Sequence, residues 1–102
     1  NALNYRLLNG QSMASSFQSS ATDIRYLDNI GYQITVTGSP VGTFDVQISN
    51  DGTNWTSLGL STASSSSVYL DINQISAAYA RLAYASASGT GTCVVYINGK
   101  QV

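Results

Sequence analysis

The sequence predicts an all-β protein, an antiparallel β-sandwich with a jelly-roll-like arrangement of about seven to eight strands and an irregular N-terminal arm. Three observations support this fold class. Apolar and polar residues alternate over several short segments, as in strands that bury one face. No apolar period of 3.6 residues lasts for the roughly ten residues that a helix needs. Turns rich in Gly, Ser and Asn separate the alternating segments.

The clearest strand covers residues 30–36, where large apolar side chains occupy every second position. Residues 38–42 contain Pro40 and two glycines and predict a turn, after which residues 44–48 alternate again. This pattern predicts a hairpin. Asp51-Gly52 is typical of a type I′ turn and predicts a third strand beginning at Trp55.

The second half of the chain repeats this organisation. Residues 61–67 are mostly serine and predict a surface loop, and strands are predicted at residues 68–72, 79–85 and 92–97. The last strand is apolar on both faces, which indicates either a central strand or an outer face covered by another subunit. Residues 42–48 and 91–97 match in pattern, so two similar hairpins are expected to build the sandwich.

The N-terminal part differs from the rest. Residues 1–23 are interpreted as an N-terminal strand and arm, and residues 24–102 as the β-sandwich, within a single domain overall. A neighbouring subunit is the predicted contact for the apolar side chains of the arm, which are Leu3, Tyr5, Leu7 and Leu8.

Charge and cysteine content exclude several function classes. Four cationic and five acidic residues give a net charge of −1, too little positive charge for a nucleic-acid-binding face. The lone cysteine, Cys93, cannot form an internal disulfide and is predicted to be buried. No segment has the pattern of a membrane span or a signal peptide, so neither is expected.

The residues needed for common catalytic sites are missing. Without histidine the usual serine-hydrolase triad cannot form, and the five aspartates fit turns, surface pairs and the polar sides of strands better than a glycosidase pair. We therefore predict no enzymatic activity, no catalytic residues and no cofactor. A metal site is not predicted either, and calcium at Asp51 and Asn54 is the minor alternative.

Aromatic residues are the best candidates for a binding role. Exposed rings can stack on sugars or form a protein interface, and Trp55 also fits a core position. The candidate interface or ligand-stacking residues are Trp55, Tyr69, Tyr79, Val94 and Tyr96.

Five segments together carry a family resemblance: residues 23–31, 38–44, 49–56, 79–82 and 88–92, with a final Gly99-Lys100. Over residues 23–100 the chain resembles a family of small bacteriophage virion structural proteins. The resemblance implies a capsid decoration, minor capsid or spike-associated protein, made in the bacterial cytoplasm. Its implied partners are other copies of itself and virion proteins such as the major capsid protein. A carbohydrate-binding module or receptor-binding spike domain is the alternative, with a glycan as ligand.

Overall fold

A computed structural model of the protein describes residues 2–101, which form ten strands and no helix. Strands β1, β10, β4 and β8 form one sheet in that order, here called sheet A. Strands β2, β9, β5 and β6 form sheet B, in which β3 also pairs with β9 and β7 with β5. The strands are β1 (Ala2–Ser12), β2 (Phe17–Gln18), β3 (Thr22–Asp23), β4 (Asn29–Gly38), β5 (Val41–Ser49), β6 (Thr56–Ser57), β7 (Thr62–Ala63), β8 (Ser67–Ile72), β9 (Tyr79–Ser88) and β10 (Gly91–Lys100).

The strand order is that of a jelly roll. Strands β2 and β3 both pair with β9, and strands β6 and β7 both pair with β5. If each of these two pairs is counted as one interrupted edge strand, the sandwich has eight strands. Ala2 pairs with Lys100, Thr22 with Ala80 and Ile30 with Ile72, so the first half of the chain pairs with the second half in reverse order. The chain is thus one long hairpin rolled into two sheets, and the predicted fold class is confirmed.

The predicted hairpin between β4 and β5 is wrong, because these strands belong to different sheets. One of the crossings between the sheets follows Gly38, and another lies between β9 and β10. The two crossings pack together: the Ser39 amide donates to the Thr90 carbonyl at 3.0 Å, and a Cβ at Gly38 would lie 2.8 Å from Cα of Gly91. The matching segments 42–48 and 91–97 lie in β5 and β10, each directly after a crossing between the sheets, so the expectation of two similar hairpins is wrong as well. Alternation shows which face a strand buries but not which strand it pairs with.

The core lies between the inward faces of the long strands. Large side chains such as Tyr32 and Ile97 from sheet A meet Phe44 and Tyr84 from sheet B, and none of the four is more than 2% exposed. The rings of Phe44 and Tyr84 are 4.9 Å apart between centroids. Cys93 is 1% exposed, which confirms its predicted burial.

The N-terminal segment is an integral strand, which corrects the arm interpretation. Strand β1 pairs with β10 from Ala2 opposite Lys100 to Ser12 opposite Thr92. Leu3, Leu7 and Leu8 pack against the core of their own chain, and the Tyr5 hydroxyl lies 3.0 Å from Oγ1 of Thr22. Two bulges interrupt the pairing and place Leu7 and Leu8, adjacent in sequence, against the same core. Because the bulges interrupt the alternation of apolar and polar residues, the sequence of β1 does not show the regular pattern of a strand. Asn1 and Val102 lie outside the described residues.

The loop after β5 is also corrected. A type I′ turn needs positive φ at both central residues, but of the pair only Gly52 has one, at +75°. Residues 50–55 form a longer loop, and the strand that follows is the two-residue β6. Within the predicted serine loop, Thr62–Ala63 pairs with β5 as β7. Among residues 2–101, no helix is long and apolar enough to cross a membrane.

Candidate functional site

The five candidate interface residues are divided between the two outer faces of the sandwich. Tyr69, Val94 and Tyr96 lie on the outer face of sheet A. Their neighbours along the strands, Val68, Leu70 and Val95, are buried, and successive side chains of a strand point to opposite faces. Tyr79 begins β9 on the outer face of sheet B, and Trp55 lies beside that face. The structure therefore does not bring the five residues together into one site.

The outer face of sheet A carries two exposed rings. Tyr96 faces Arg6 of β1 on one side and Gln33 of β4 on the other, and Gln33 in turn faces Tyr69 of β8. Tyr69 is 56% exposed and Tyr96 40% exposed. The Tyr69 ring leans across β4, where Gly31 makes room for it: a Cβ there would lie 2.9 Å from the ring carbon Cζ. Arg6 and Gln33 could not be assigned to this row from the sequence, because the row is defined by strand pairing.

Trp55 is held by Arg81 on the outer side of sheet B. The guanidinium carbon of Arg81 lies 4.2 Å from the Trp55 ring centroid, a cation–π contact, and Arg81 Nε donates to Gln47 Oε1 at 2.6 Å. Trp55 is half-buried and does not belong to the core cluster, so it does not occupy the core position that its sequence context also allowed. One face of its ring is already covered by Arg81.

A shallow groove of about 280 Å³ crosses sheet B, with Ala83 and Ala85 among its lining residues. Asp45 also lines this groove and accepts hydrogen bonds from the Val46 amide at 2.7 Å and the Leu60 amide at 3.0 Å, and from the Ser57 hydroxyl. Burial raises the pKa of this carboxyl, but the hydrogen bonds together outweigh burial and lower it. Asp45 therefore ties the loop around Leu60 to the sheet.

Asp51 has a similar structural role in the loop after β5. Its carboxylate accepts hydrogen bonds from the Asn54 amide at 2.8 Å, the Thr53 amide at 2.9 Å, the Asn54 side chain at 2.8 Å and the Ser49 hydroxyl at 2.9 Å. These bonds, led by that from the Asn54 amide, hold the pKa of Asp51 well below its usual range. Three of these bonds reach Oδ1 and the fourth reaches Oδ2, so the carboxylate holds the loop together. Within residues 2–101, no group of three His, Cys, Asp or Glu side chains could hold a metal ion.

Comparison with known proteins finds a likeness in fold. No protein-family model matches the chain, and no curated protein matches it in sequence. Among solved structures, the crystal structure of SPBc2 prophage-derived protein YomS is similar, with a TM-score of 0.65 and 10% sequence identity. The alignment covers 96% of this chain and 93% of that chain. The likeness establishes a shared fold over nearly the whole of both chains.

Proposed function

We propose that this protein is a non-enzymatic structural component of a bacteriophage particle, present in several copies on or in the capsid. The observation that carries the proposal is the whole-length fold likeness to a prophage-derived protein. It agrees with the resemblance that the sequence bears to small virion proteins. The particle is the proposed location, and the proposed partners are further copies of the chain and other virion proteins such as the major capsid protein.

The surface chemistry supports a role in assembly. Only 9% of the residues are charged, so neighbouring copies would meet little electrostatic repulsion at close packing. Tyr69 and Tyr96 expose large rings on the outer face of sheet A, and tyrosine is enriched where proteins bind each other. Asp23, Asp45 and Asp51 are engaged in local hydrogen bonds, which supports a non-enzymatic role.

The experiment is to look for the chain in purified particles. Phage would be induced or propagated in the host strain, banded on a density gradient and analysed by quantitative mass spectrometry against the major capsid protein. We expect the chain to co-sediment with particles at a fixed ratio of several copies per particle. Its absence from banded particles, with the protein present in the lysate, would overturn the proposal.

A carbohydrate-binding function is the second candidate, and the geometry of sheet A favours it. Tyr69 and Tyr96 are separated by one strand, so their backbones are about 10 Å apart, with the polar side chain of Gln33 between them. Two rings and an amide on one sheet face can stack on and hydrogen-bond to a sugar chain. A glycan array comparing the native chain with Tyr69→Ala and Tyr96→Ala tests this. Binding that is lost in both variants would support it, and an empty array would exclude it.

A further inference from the structure

The four outer edges of the two sheets differ in how well they are protected. Sheet B ends in two-residue strands, β2 and β3 on one side and β6 and β7 on the other. In sheet A, β1 is interrupted by two bulges, whereas β8 pairs with β4 over six residues without a register shift. Natural proteins protect edge strands with bulges, prolines, charged side chains (lysine above all) or short length, because an open edge pairs with other chains. Strand β8 has no bulge, proline or lysine, and its one charged residue is Asp71, the last residue but one of the strand.

Hydrogen bonding shows which backbone groups of β8 point outward. The Val36 amide donates to the Ser66 carbonyl at 3.0 Å, and hydrogen-bonded pairs recur at every second residue of an antiparallel ladder. The backbone N–H and C=O groups of Val68 and Leu70 therefore point toward β4, and those of Ser67, Tyr69 and Asp71 point away from it. In agreement, the Ser67 carbonyl is reached from outside by the Ser65 hydroxyl at 3.0 Å. Within residues 2–101, the backbone groups of Tyr69 and Asp71 have no partner on the open side.

The side chains of β8 leave this edge accessible. The Tyr69 ring leans over Gly31 of β4, which is away from the open side. Val68 and Leu70 point into the core and are 6% and 5% exposed. A strand of another chain can therefore approach the outward amides and carbonyls without displacing a large side chain.

We propose that a second copy of this chain pairs with β8 in antiparallel orientation, centred on Tyr69. This inference rests on the proposed function, because it names one contact by which copies of the protein assemble. The pairing is isologous and joins two four-stranded sheets A into one continuous sheet of eight strands.

The sequence of β8 is complementary to itself in this register. Tyr69 lies opposite Tyr69 of the second copy, and Ser67 lies opposite Asp71 of the second copy, where the hydroxyl can donate to the carboxylate. Val68 lies opposite Leu70 of the second copy, so apolar groups also match. A register centred on Asp71 would instead place two carboxylates against each other, which is unfavourable.

The backbone contribution is tested by a matched pair of variants, Tyr69→Pro and Tyr69→Ala. Both remove the ring, but only proline removes the outward N–H, and proline is tolerated on an edge strand where that N–H faces solvent. A single strand pair is a small interface, so sedimentation is measured up to about 1 mM protein. We expect the native chain and Tyr69→Ala to dimerise, and Tyr69→Pro to dimerise at least about tenfold more weakly. Circular dichroism checks that both variants are folded.

The register is tested by isotope-filtered NMR on a mixture of labelled and unlabelled chains. Val68 and Leu70 of opposite copies form a pair without hydrogen bonds, so their Hα atoms come into close contact. We expect an intermolecular Hα–Hα signal between these two residues. A chain that stays monomeric at 1 mM, or a dimer without this signal, would overturn the edge pairing.

The outcomes separate this inference from the proposed function. Dimers that weaken equally in Tyr69→Ala and Tyr69→Pro would show that association uses another surface, which overturns the edge pairing and leaves the particle role standing. Absence from particles together with edge-paired dimers in solution would overturn the particle role and leave the pairing standing.

Discussion

Two glycines in the sandwich allow the cost of a single added methyl group to be compared in different surroundings. Gly31 of β4 lies under the Tyr69 ring, and Gly42 of β5 lies in sheet B. Neither has a φ in the left-handed region, so Gly31→Ala and Gly42→Ala introduce no backbone strain. A Cβ at Gly31 would meet the end of Tyr69, with Cζ at 2.9 Å, and a Cβ at Gly42 would meet Tyr84 Oη at 2.5 Å and the Ala85 carbonyl closer still.

The two obstacles differ in how easily they move. Tyr69 is 56% exposed and can rotate away, while the loss of chain entropy in the unfolded state favours alanine by about 0.4–1 kcal/mol. We therefore expect Gly31→Ala to change the free energy of unfolding by less than about 1 kcal/mol. At Gly42 the obstacles are a backbone carbonyl and a ring that is 2% exposed. Overpacking of this kind costs about 1–3 kcal/mol, and we expect the upper half of that range.

The assay is urea unfolding at low protein concentration, followed by the fluorescence of Trp55. With an m-value of about 1–2 kcal/mol per molar urea, Gly42→Ala should lower the midpoint by about 1–3 M and Gly31→Ala by much less. In a Tyr69→Ala background, Gly31→Ala should cost nothing, because the obstacle is gone. Equal losses at the two positions, or an unchanged cost at Gly31 without the Tyr69 ring, would refute the reasoning.

Three further predictions concern the strands and the core. Deleting residues 1–12 removes β1, whose Leu3, Leu7 and Leu8 pack on the core. We therefore expect the shortened chain to lose cooperative thermal unfolding, as measured by circular dichroism. A shortened chain that still melts cooperatively near the native temperature would contradict this. The Tyr32 hydroxyl is buried without a partner within residues 2–101, so Tyr32→Phe should raise the free energy of unfolding by about 1 kcal/mol, and a loss of that size in urea titration would show that the hydroxyl is bonded. Burial raises the pKa of Cys93 from 9.0 to about 11. Below pH 9 the thiol is protonated in both the folded and the unfolded chain, and its contribution to stability is fully present. Between pH 9 and pH 11 the unfolded chain loses this proton more readily than the folded chain, so the free energy of unfolding falls by up to about 1.4 kcal/mol per pH unit. Cys93→Ala should show a shallower decline in urea midpoint over this pH range, and parallel declines would count against it.

Much of the fold was predictable from local patterns. The alternation in residues 30–36, 44–48, 68–72 and 92–97 correctly predicts which side chains enter the core, since a strand that buries one face must place its apolar groups at every second position. The doubly apolar last strand is central, as one of the two expected explanations requires. The bulged β1 was not recognised as a full strand, because an extra residue shifts the alternation.

The candidate site was predictable only in part. Tyr69 and Tyr96 are exposed aromatic residues on strands, and they were among the predicted candidates for an outer face. Nothing in the sequence indicated that Arg81 covers Trp55, or that Arg6 and Gln33 share a row with the two tyrosines. Their role as an interface stays a prediction.

The sequence by itself determined the all-β class and the inward faces of the strands, because both depend on neighbouring residues along the chain. Only the tertiary structure decided that β4 and β5 lie in different sheets, that residues 2–12 belong to sheet A and that β8 is its open edge. These features depend on pairing between residues far apart in sequence, such as Ala2 and Lys100. Backbone hydrogen bonds form in the same way with any partner strand, so the amino-acid pattern alone does not select among partners.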